Sequence, residues 1–267
     1  MAPFSTQLTG AHVLVTGGSK GIGKVIVESF LAEGANVSYC ARTVQDDQFS
    51  SFKDTASGAR ASGSSVDISD PASIRTWVEK AAEEFGRIDV VVANACPGYQ
   101  AATPEDWQKS FQADILGLWT LIDAATPHLE KRGGTGSIVV ISSAAGFETK
   151  HNGIGGPYSV FKRAQATMAK DLGRKLGPMG IRINTVVPGA IETASVVLPD
   201  GTKKLSTFEV IKKENPEYIQ GILDAIPLGR LGQSQDIANA VVFLGSRLAS
   251  YVHGANLFVD GAVSSAL

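Results

Sequence analysis

Cysteine is scarce in this chain: Cys40 and Cys96 are the only two among 267 residues. Two thiols cannot make a disulfide framework, and their scarcity suits a reducing compartment, so a cytoplasmic location is expected. Charge imbalance is slight as well. Twenty-four Lys and Arg face 26 Asp and Glu, a net charge of −2. No basic run stands out, which argues against a nucleic-acid partner. No stretch approaches the ~20 apolar residues of a membrane-spanning helix. Met1-Ala2-Pro3-Phe4 lacks the charged and then apolar segments of a secretory signal. The four histidines, His12, His128, His151 and His253, have no metal-binding spacing, so no metal is expected. The sequon Asn36-Val37-Ser38 lies in an apolar stretch and reads as strand, not as a glycan acceptor.

Glycine, by contrast, is abundant at 29 residues, and 43% of the chain is hydrophobic against 19% charged. That balance suits a globular core with many tight turns. Short apolar runs alternate with longer amphipathic ones. Strands are expected at Val13–Val15, Val37–Ala41, Ser65–Ile68, Ile88–Ala95, Ser137–Ser142, Ile181–Val187 and Asn256–Val259. Helices are expected at Ile22–Glu33, Pro71–Phe85, Pro104 to about Leu129, Tyr158–Leu176 and Gln235–Leu244, with a weak helix and loops between Val44 and Gly63. Strands that are apolar throughout are buried on both faces. Regular β-α alternation then implies a single-domain, Rossmann-like, doubly wound sheet of seven parallel strands spanning residues 1–267, with helices on both faces. The stretch from about 190 to 226 is too long for an ordinary connection and reads as a lid-like insertion. Its apolar residues, Val196, Val197, Leu198, Leu205, Phe208, Ile211, Ile219, Ile222 and Leu223, suggest a bulky apolar substrate. Phe111 and Trp119 read as core residues of the long helix.

Doubly wound sheets bind ligands beyond the carboxyl ends of their strands. Thr16-Gly17-Gly18-Ser19-Lys20-Gly21-Ile22-Gly23 follows the first strand and opens the first helix. Glycines allow the turn and a close backbone approach to a pyrophosphate, and the helix start offers unpaired N–H groups. The same turn in isolation would be only a tight βα connection. At the end of the second strand an acidic residue would bind a ribose hydroxyl, whereas an arginine suits a 2′-phosphate. The chain has Tyr39-Cys40-Ala41-Arg42 there, with Lys20 as a second candidate cation. This favours NADP(H) over NAD(H).

The G-x-x-x-G-x-G spacing resembles that of the short-chain dehydrogenase/reductase family, and the resemblance covers nearly the whole chain. Asp67-Ile68 looks like the family's acidic residue beside the adenine, with its neighbour. Ala93-Asn94-Ala95-Cys96 is similar to its Asn-Asn-Ala-Gly motif. Pro188-Gly189, Ile191 and Thr193 match the segment that contacts the nicotinamide, and Val259-Asp260-Gly261 matches the final strand. Ser143, Tyr158 and Lys162 match the catalytic serine and the Y-x-x-x-K pair, with Ser142 the competing serine. Tyr158 and Lys162, four apart on a helix, share a face, and a nearby ammonium favours a phenolate.

The resemblance implies hydride exchange between the nicotinamide and a carbonyl or secondary alcohol. Tyr158 moves the proton, Lys162 lowers its pKa and binds the ribose, and Ser143 holds the substrate oxygen. It also implies a homotetramer or homodimer packed through the long helix and the Tyr158 helix. Carbonyl reductases of secondary metabolism are the expected setting. Two residues depart from the pattern. Asp114 stands where the family has an asparagine that holds a relay water, and Cys96 stands where it has glycine. These departures keep a non-redox isomerase or cyclase open, and a dinucleotide-binding module without turnover is the remaining alternative. Tyr99, Trp107 and His151 are candidate pocket residues, as is the loop holding Gly153, Gly155 and Gly156.

Overall fold

Alternating apolar residues build the centre of the molecule. Val13 and Val15 point into one core and Leu14 into another, and all three are fully buried. Val90 and Val92 alternate with Val91 in the same way, as do Val139 and Ile141 with Ile138 and Val140. The computed structural model describes residues 5–45, 48–50, 58–98, 102–148, 156–197 and 201–265.

The chain starts with β1 (His12–Thr16), α1 (Gly21–Ala32), β2 (Asn36–Ala41), β3 (Ala61–Ser65), α2 (Pro71–Phe85) and β4 (Val90–Ala93). Next come α3 (Pro104–Ser110), a π-helical turn (Phe111–Gly117), α4 (Leu118–Glu130), β5 (Gly136–Ile141), α5 (Pro157–Leu176) and β6 (Ile181–Pro188). Short strands β7 (Ile191–Glu192), β8 (Val196–Val197) and β9 (Lys203–Lys204) precede α6 (Thr207–Glu214) and α7 (Pro216–Ala225). The chain closes with β10 (Gly232–Gln233), α8 (Ser234–Gly245) and β11 (Asn256–Val259). The main sheet has seven strands in the order β11-β6-β5-β4-β1-β2-β3, and every described pairing in it is parallel. One face is covered by α1 and α8 through Ile26, Phe30, Ile237 and Val241. The other is covered by α2, α4 and α5 through Ile74, Trp77, Leu121, Leu129 and Leu176. This is the doubly wound arrangement, and its order reverses between β1 and β4.

Several expectations need correction. The third strand is Ala61–Ser65, not Ser65–Ile68. Among the described residues it is an edge strand paired to β2 alone, so it needs no apolar run. A Cβ at Gly63 would sit 2.6 Å from the Tyr39 ring, so the strand makes room for that ring. Val66 and Ile68 instead pack into the second core. The expected helix from Pro104 to about Leu129 is divided by the π-turn. Phe111 and Trp119 are not core residues but are 41% and 46% exposed. The stretch read as a lid holds two capped helices. Ser206 and Glu209 form a reciprocal cap for α6, and Asn215 caps α7 ahead of Pro216. Leu198, Pro199 and Asp200 lie outside the described residues.

The π-turn is held by contact as well as by its own hydrogen bonds. A Cβ on Gly117 would lie 2.2 Å from the Ile68 carbonyl oxygen, a backbone atom that cannot swing aside. Gly117→Ala is therefore expected to cost about 1–3 kcal/mol through overpacking. Urea unfolding reads this as a lower midpoint at unchanged slope, and a wild-type midpoint would show that the approach is relieved at no cost.

Candidate active site

The end of β1 and the end of β4 are tied by one hydroxyl. Thr16 Oγ1 accepts hydrogen bonds from the N–H groups of Asn94 (3.0 Å) and Ala95 (3.1 Å). The Asn94 amide returns to the glycine turn, donating to the carbonyls of Thr16 (2.9 Å) and Gly17 (3.3 Å). A Cβ on Gly23 would meet the Gly17 oxygen at 2.1 Å and Asn94 Nδ2 at 2.5 Å, and Gly17 itself has φ +70°. These glycines are thus required for the turn to close against β4. The sequence reading placed Asn94 at the cofactor; its side-chain amide braces the turn. Thr16 was named as the head of the turn, but its tying role was missed; its position as the last residue of β1 was the available signal.

Beyond this turn, α1 starts with Lys20 at its N-cap and has neither a side-chain cap nor an acidic residue in its first turn. Among the described residues its leading N–H groups have no side-chain partner, which is the donor set a dinucleotide diphosphate requires. Lys20 is exposed and Ser19 and Ile22 are half-buried, while the Ser19 carbonyl accepts from the Gln48 amide. A Cβ at Gly21 would lie 3.7 Å from Thr193 Cγ2, so the chain after β6 meets the turn. In that segment Pro188 is buried at the end of β6, and Gly189 approaches Asp260 closely. The Ile191 side chain is buried in the first core, so what it offers to the strand end is its backbone.

Arg42 is exposed just past β2, and its carbonyl accepts from Ser65 Oγ (3.0 Å). Asp67 turns onto its own loop, accepting from Ser69 N–H (2.9 Å) and Ser69 Oγ (2.7 Å). Those bonds hold its carboxyl below the usual range, and the charge of Arg42 adds to the effect.

A second cluster forms where β5 meets α5. Ser143 Oγ accepts from Ala145 N–H (3.2 Å) and hydrogen-bonds with the Tyr158 phenol. Ser142 faces elsewhere, donating to the Lys162 carbonyl (2.6 Å). Lys162 is 2% exposed. Its ammonium donates to the Ile141 carbonyl (2.9 Å) and to Gln165 Oε1 (3.0 Å), and lies 5.9 Å from the centre of the Tyr158 ring. Gln165 Nε2 in turn donates to the Asp114 carbonyl (2.9 Å) and to Asp114 Oδ1 (3.3 Å). Asp114 lies in the π-turn and is 2% exposed. Gln165 is the second residue that sequence reasoning missed; a polar residue three past the lysine, in an otherwise apolar helix stripe, was its signal.

The electrostatics run against one expectation. Removal from water pushes the Tyr158 phenol up, and the neighbouring Cys96 and Asp114 push it the same way, while the Ser143 hydrogen bond pulls it down. Lys162 was expected to be the dominant influence; with its ammonium 5.9 Å from the ring centre, burial of the phenol outweighs it. Burial likewise pushes the Asp114 carboxyl up to about 6, against the opposing pull of Lys162 and Gln165.

A cavity of about 20 Å³ lined by Thr16, Ala93, Ala95, Gly117 and Gln165 joins the two clusters, enough for about one water. The larger surface groove, about 480 Å³ between α1 and α8, shares no residue with either cluster. Trp107 is half-buried and packs edge-on to Phe161 (5.6 Å). Tyr99, His151, Gly153 and Gly155 lie outside the described residues.

The profile of the family described as enoyl-(acyl carrier protein) reductase matches residues 17–264. The chain belongs to the short-chain dehydrogenase/reductase family. It is 43% identical over 263 residues to the isoepoxydon dehydrogenase patN of Penicillium expansum, covering 97% of each chain. Among solved structures, a protein from Agrobacterium tumefaciens assigned as a 2-deoxy-D-gluconate 3-dehydrogenase, with NADP bound, superposes at TM-score 0.81 and 30% identity, covering 97% of this chain and 98% of that one. A 7α-hydroxysteroid dehydrogenase with NADH and 7-oxo glycochenodeoxycholic acid superposes at TM-score 0.81 and 30% identity, covering 97% and 96%. The short-chain dehydrogenase/reductase fold therefore accounts for nearly the full length, and its oxidoreductase members bind a nicotinamide cofactor. Among the described residues no group of His, Cys, Asp or Glu could hold a metal, and no helix is long and apolar enough to cross a membrane.

Asp114 supplies a direct check on this geometry. A carboxyl raised from 3.8 to about 6 contributes stability at low pH that is lost as pH climbs through that window. Asp114→Asn is expected to stabilise the protein at pH 7 by about 1–3 kcal/mol and to flatten the pH 4–6 slope of the unfolding free energy. An unchanged slope would place the carboxylate in water.

Proposed function

We propose that the chain is a cytoplasmic NADP(H)-dependent oxidoreductase that interconverts a carbonyl and a secondary alcohol. The observation that carries this reading is the meeting of the Tyr158 phenol, the Ser143 hydroxyl and the Lys162 ammonium beside the braced glycine turn. When bound, the nicotinamide supplies the hydride donor or acceptor. The residues that would hold the dinucleotide are Gly17, Ser19, Lys20, Gly21, Ile22 and Gly23 at the turn, with Asp67, Ile68 and Ala95 around the adenine side. Asn94 acts through the turn. Pro188, Gly189, Thr193, the backbone of Ile191 and the Lys162 ammonium serve the nicotinamide end.

On reduction Tyr158 gives its proton to the substrate oxygen, and on oxidation it takes one back. A phenol pushed up by burial is held as the acid until an electron-rich oxygen needs its proton. Ser143 donates a hydrogen bond to that oxygen and fixes the phenol's direction. Asp114 is placed with the catalytic group through Lys162.

Exposed Arg42 at the end of β2, where a carboxylate would be needed for a ribose hydroxyl, supports NADP. The relatives bracket the choice, since one neighbour carries NADP and another NADH. The single domain of residues 1–267 includes a segment, about 190–226, that covers the substrate. Its half-buried Phe208, Ile211, Ile222 and Leu223 suit an apolar ring, and relatives acting on isoepoxydon and on a bile acid support a cyclic ketone of secondary metabolism. Exposed Phe111, Trp119 and Val160 mark the faces through which copies assemble into a homodimer or homotetramer.

Incubation with NADPH and a panel of cyclic ketones should consume NADPH. Tyr158→Phe should lower kcat by ~10²–10⁴-fold, and a loss within about tenfold would remove the proposed role. Arg42→Asp should weaken NADPH binding by ~10–100-fold, the weight of a charged hydrogen bond, while leaving NADH nearly unchanged. Equal losses for both nucleotides would reject the phosphate assignment.

A further inference from the structure

We infer that Gln165 is a positioning residue whose amide holds Asp114 and Lys162 apart, leaving the lysine's charge available to Tyr158. This rests on the oxidoreductase reading of the same site. Gln165 is 4% exposed and both ends of its amide are engaged. Oε1 accepts from the ammonium at 3.0 Å, and Nε2 donates to the Asp114 carbonyl at 2.9 Å and to its carboxylate at 3.3 Å. The reverse amide orientation would point two donors at an ammonium and an acceptor at two oxygens, so only one orientation is compatible with its neighbours.

Without this spacer the two opposite charges are free to pair directly. Asp114 cannot retreat, because the π-turn that carries it is closed against the Ile68 carbonyl at Gly117. Among the described residues the other acceptor of Lys162 is the Ile141 carbonyl, and its long side chain can swing. A direct pair would cancel the positive charge that favours the Tyr158 phenolate. Among the described residues, Asp114 faces Lys162 and Tyr158 on α5, and Tyr158 faces Lys162 on its own helix, Asp114 on the π-turn and Cys96 beyond β4. A neutral amide with one donor end and one acceptor end fits between them. A carboxylate or an apolar side chain at the same position could not serve both neighbours.

The test is Gln165→Met, read first without any cofactor. Carbon NMR of labelled aspartate follows the Asp114 carboxyl. If Gln165 is the spacer, its removal lets Lys162 reach Asp114, and the midpoint falls by about one pH unit or more. If Gln165 is only a hydrogen-bond donor, its loss leaves the buried carboxylate poorer and the midpoint rises. A rise or no change overturns the inference.

The second reading is the pH profile of kcat/KM. Gln165→Met should move the Tyr158 limb to higher pH, and adding Asp114→Asn should return that limb toward its wild-type position. A merely structural glutamine would lower the rate with no shift of the limb and no rescue. If the single variant does not fold, the double variant, which buries no acid, decides. Folding with a wild-type limb supports the inference, and failure to fold makes Gln165 a packing residue. If the wild type turns over no nicotinamide substrate, the oxidoreductase reading fails, while the aspartate titration still judges Gln165.

Discussion

The constraint on which the site depends is a lysine ammonium in the interior. Lys162 is 2% exposed, and a buried charge is tolerated only where partners replace its water. The Ile141 carbonyl and the Gln165 amide oxygen do so directly, and the Asp114 charge does so at one remove. The same arrangement locks α5 to the end of β5. Ser142 donates to the Lys162 carbonyl, and the turn at Ala144–Gly146 comes so close to α5 that a Cβ on Gly146 would lie 2.7 Å from the Arg163 nitrogen. Once the helix is seated there, Tyr158 lies one turn earlier, within reach of Ser143. The lysine's requirement for partners and the phenol's position are therefore consequences of one packing arrangement.

The nucleotide end is organised by the reversal of strand order between β1 and β4. Two neighbouring strand ends whose chains leave in opposite directions open a crevice. Thr16 and Asn94 keep that crevice at a fixed width by bonding the two ends together. Gln165 lines the small cavity that also touches Thr16 and Ala95. The Tyr158 cluster and the glycine turn are thus joined through packed side chains.

Most of the frame was legible because buried parallel strands and amphipathic helices leave strong periodic signals. The ends of α1, α5 and α8 fall within about one residue of expectation, since glycine, proline and caps mark them. Other features failed for physical reasons. β3 reads Ala-Ser-Gly-Ser-Ser because an edge strand beside a large ring needs small polar residues, which resemble loop. The π-turn was invisible because an extra residue in a helix is set by contacts such as Gly117 on Ile68, not by propensity. Ile191 and Asn94 were placed at the ligand by position in a motif, which does not tell that the Ile191 side chain fills the core and the Asn94 amide braces the turn. Gln165 carries no motif at all. Its importance follows from what the fold places at each end of its amide.

The two departures from the family pattern, Asp114 and Cys96, belong to the same electrostatic problem as Gln165. Each replaces a neutral residue with an ionisable one, and both disfavour a phenolate at Tyr158. Ser143 works against them through its hydrogen bond. Lys162 can do so only while its charge is not neutralised by the acid nearby. A chain that carries an aspartate in this place must either keep it protonated or keep it off the lysine. Burial accomplishes the first below about pH 6. Above that pH the carboxylate is ionised, and the amide between the two side chains is the feature of the structure that separates them.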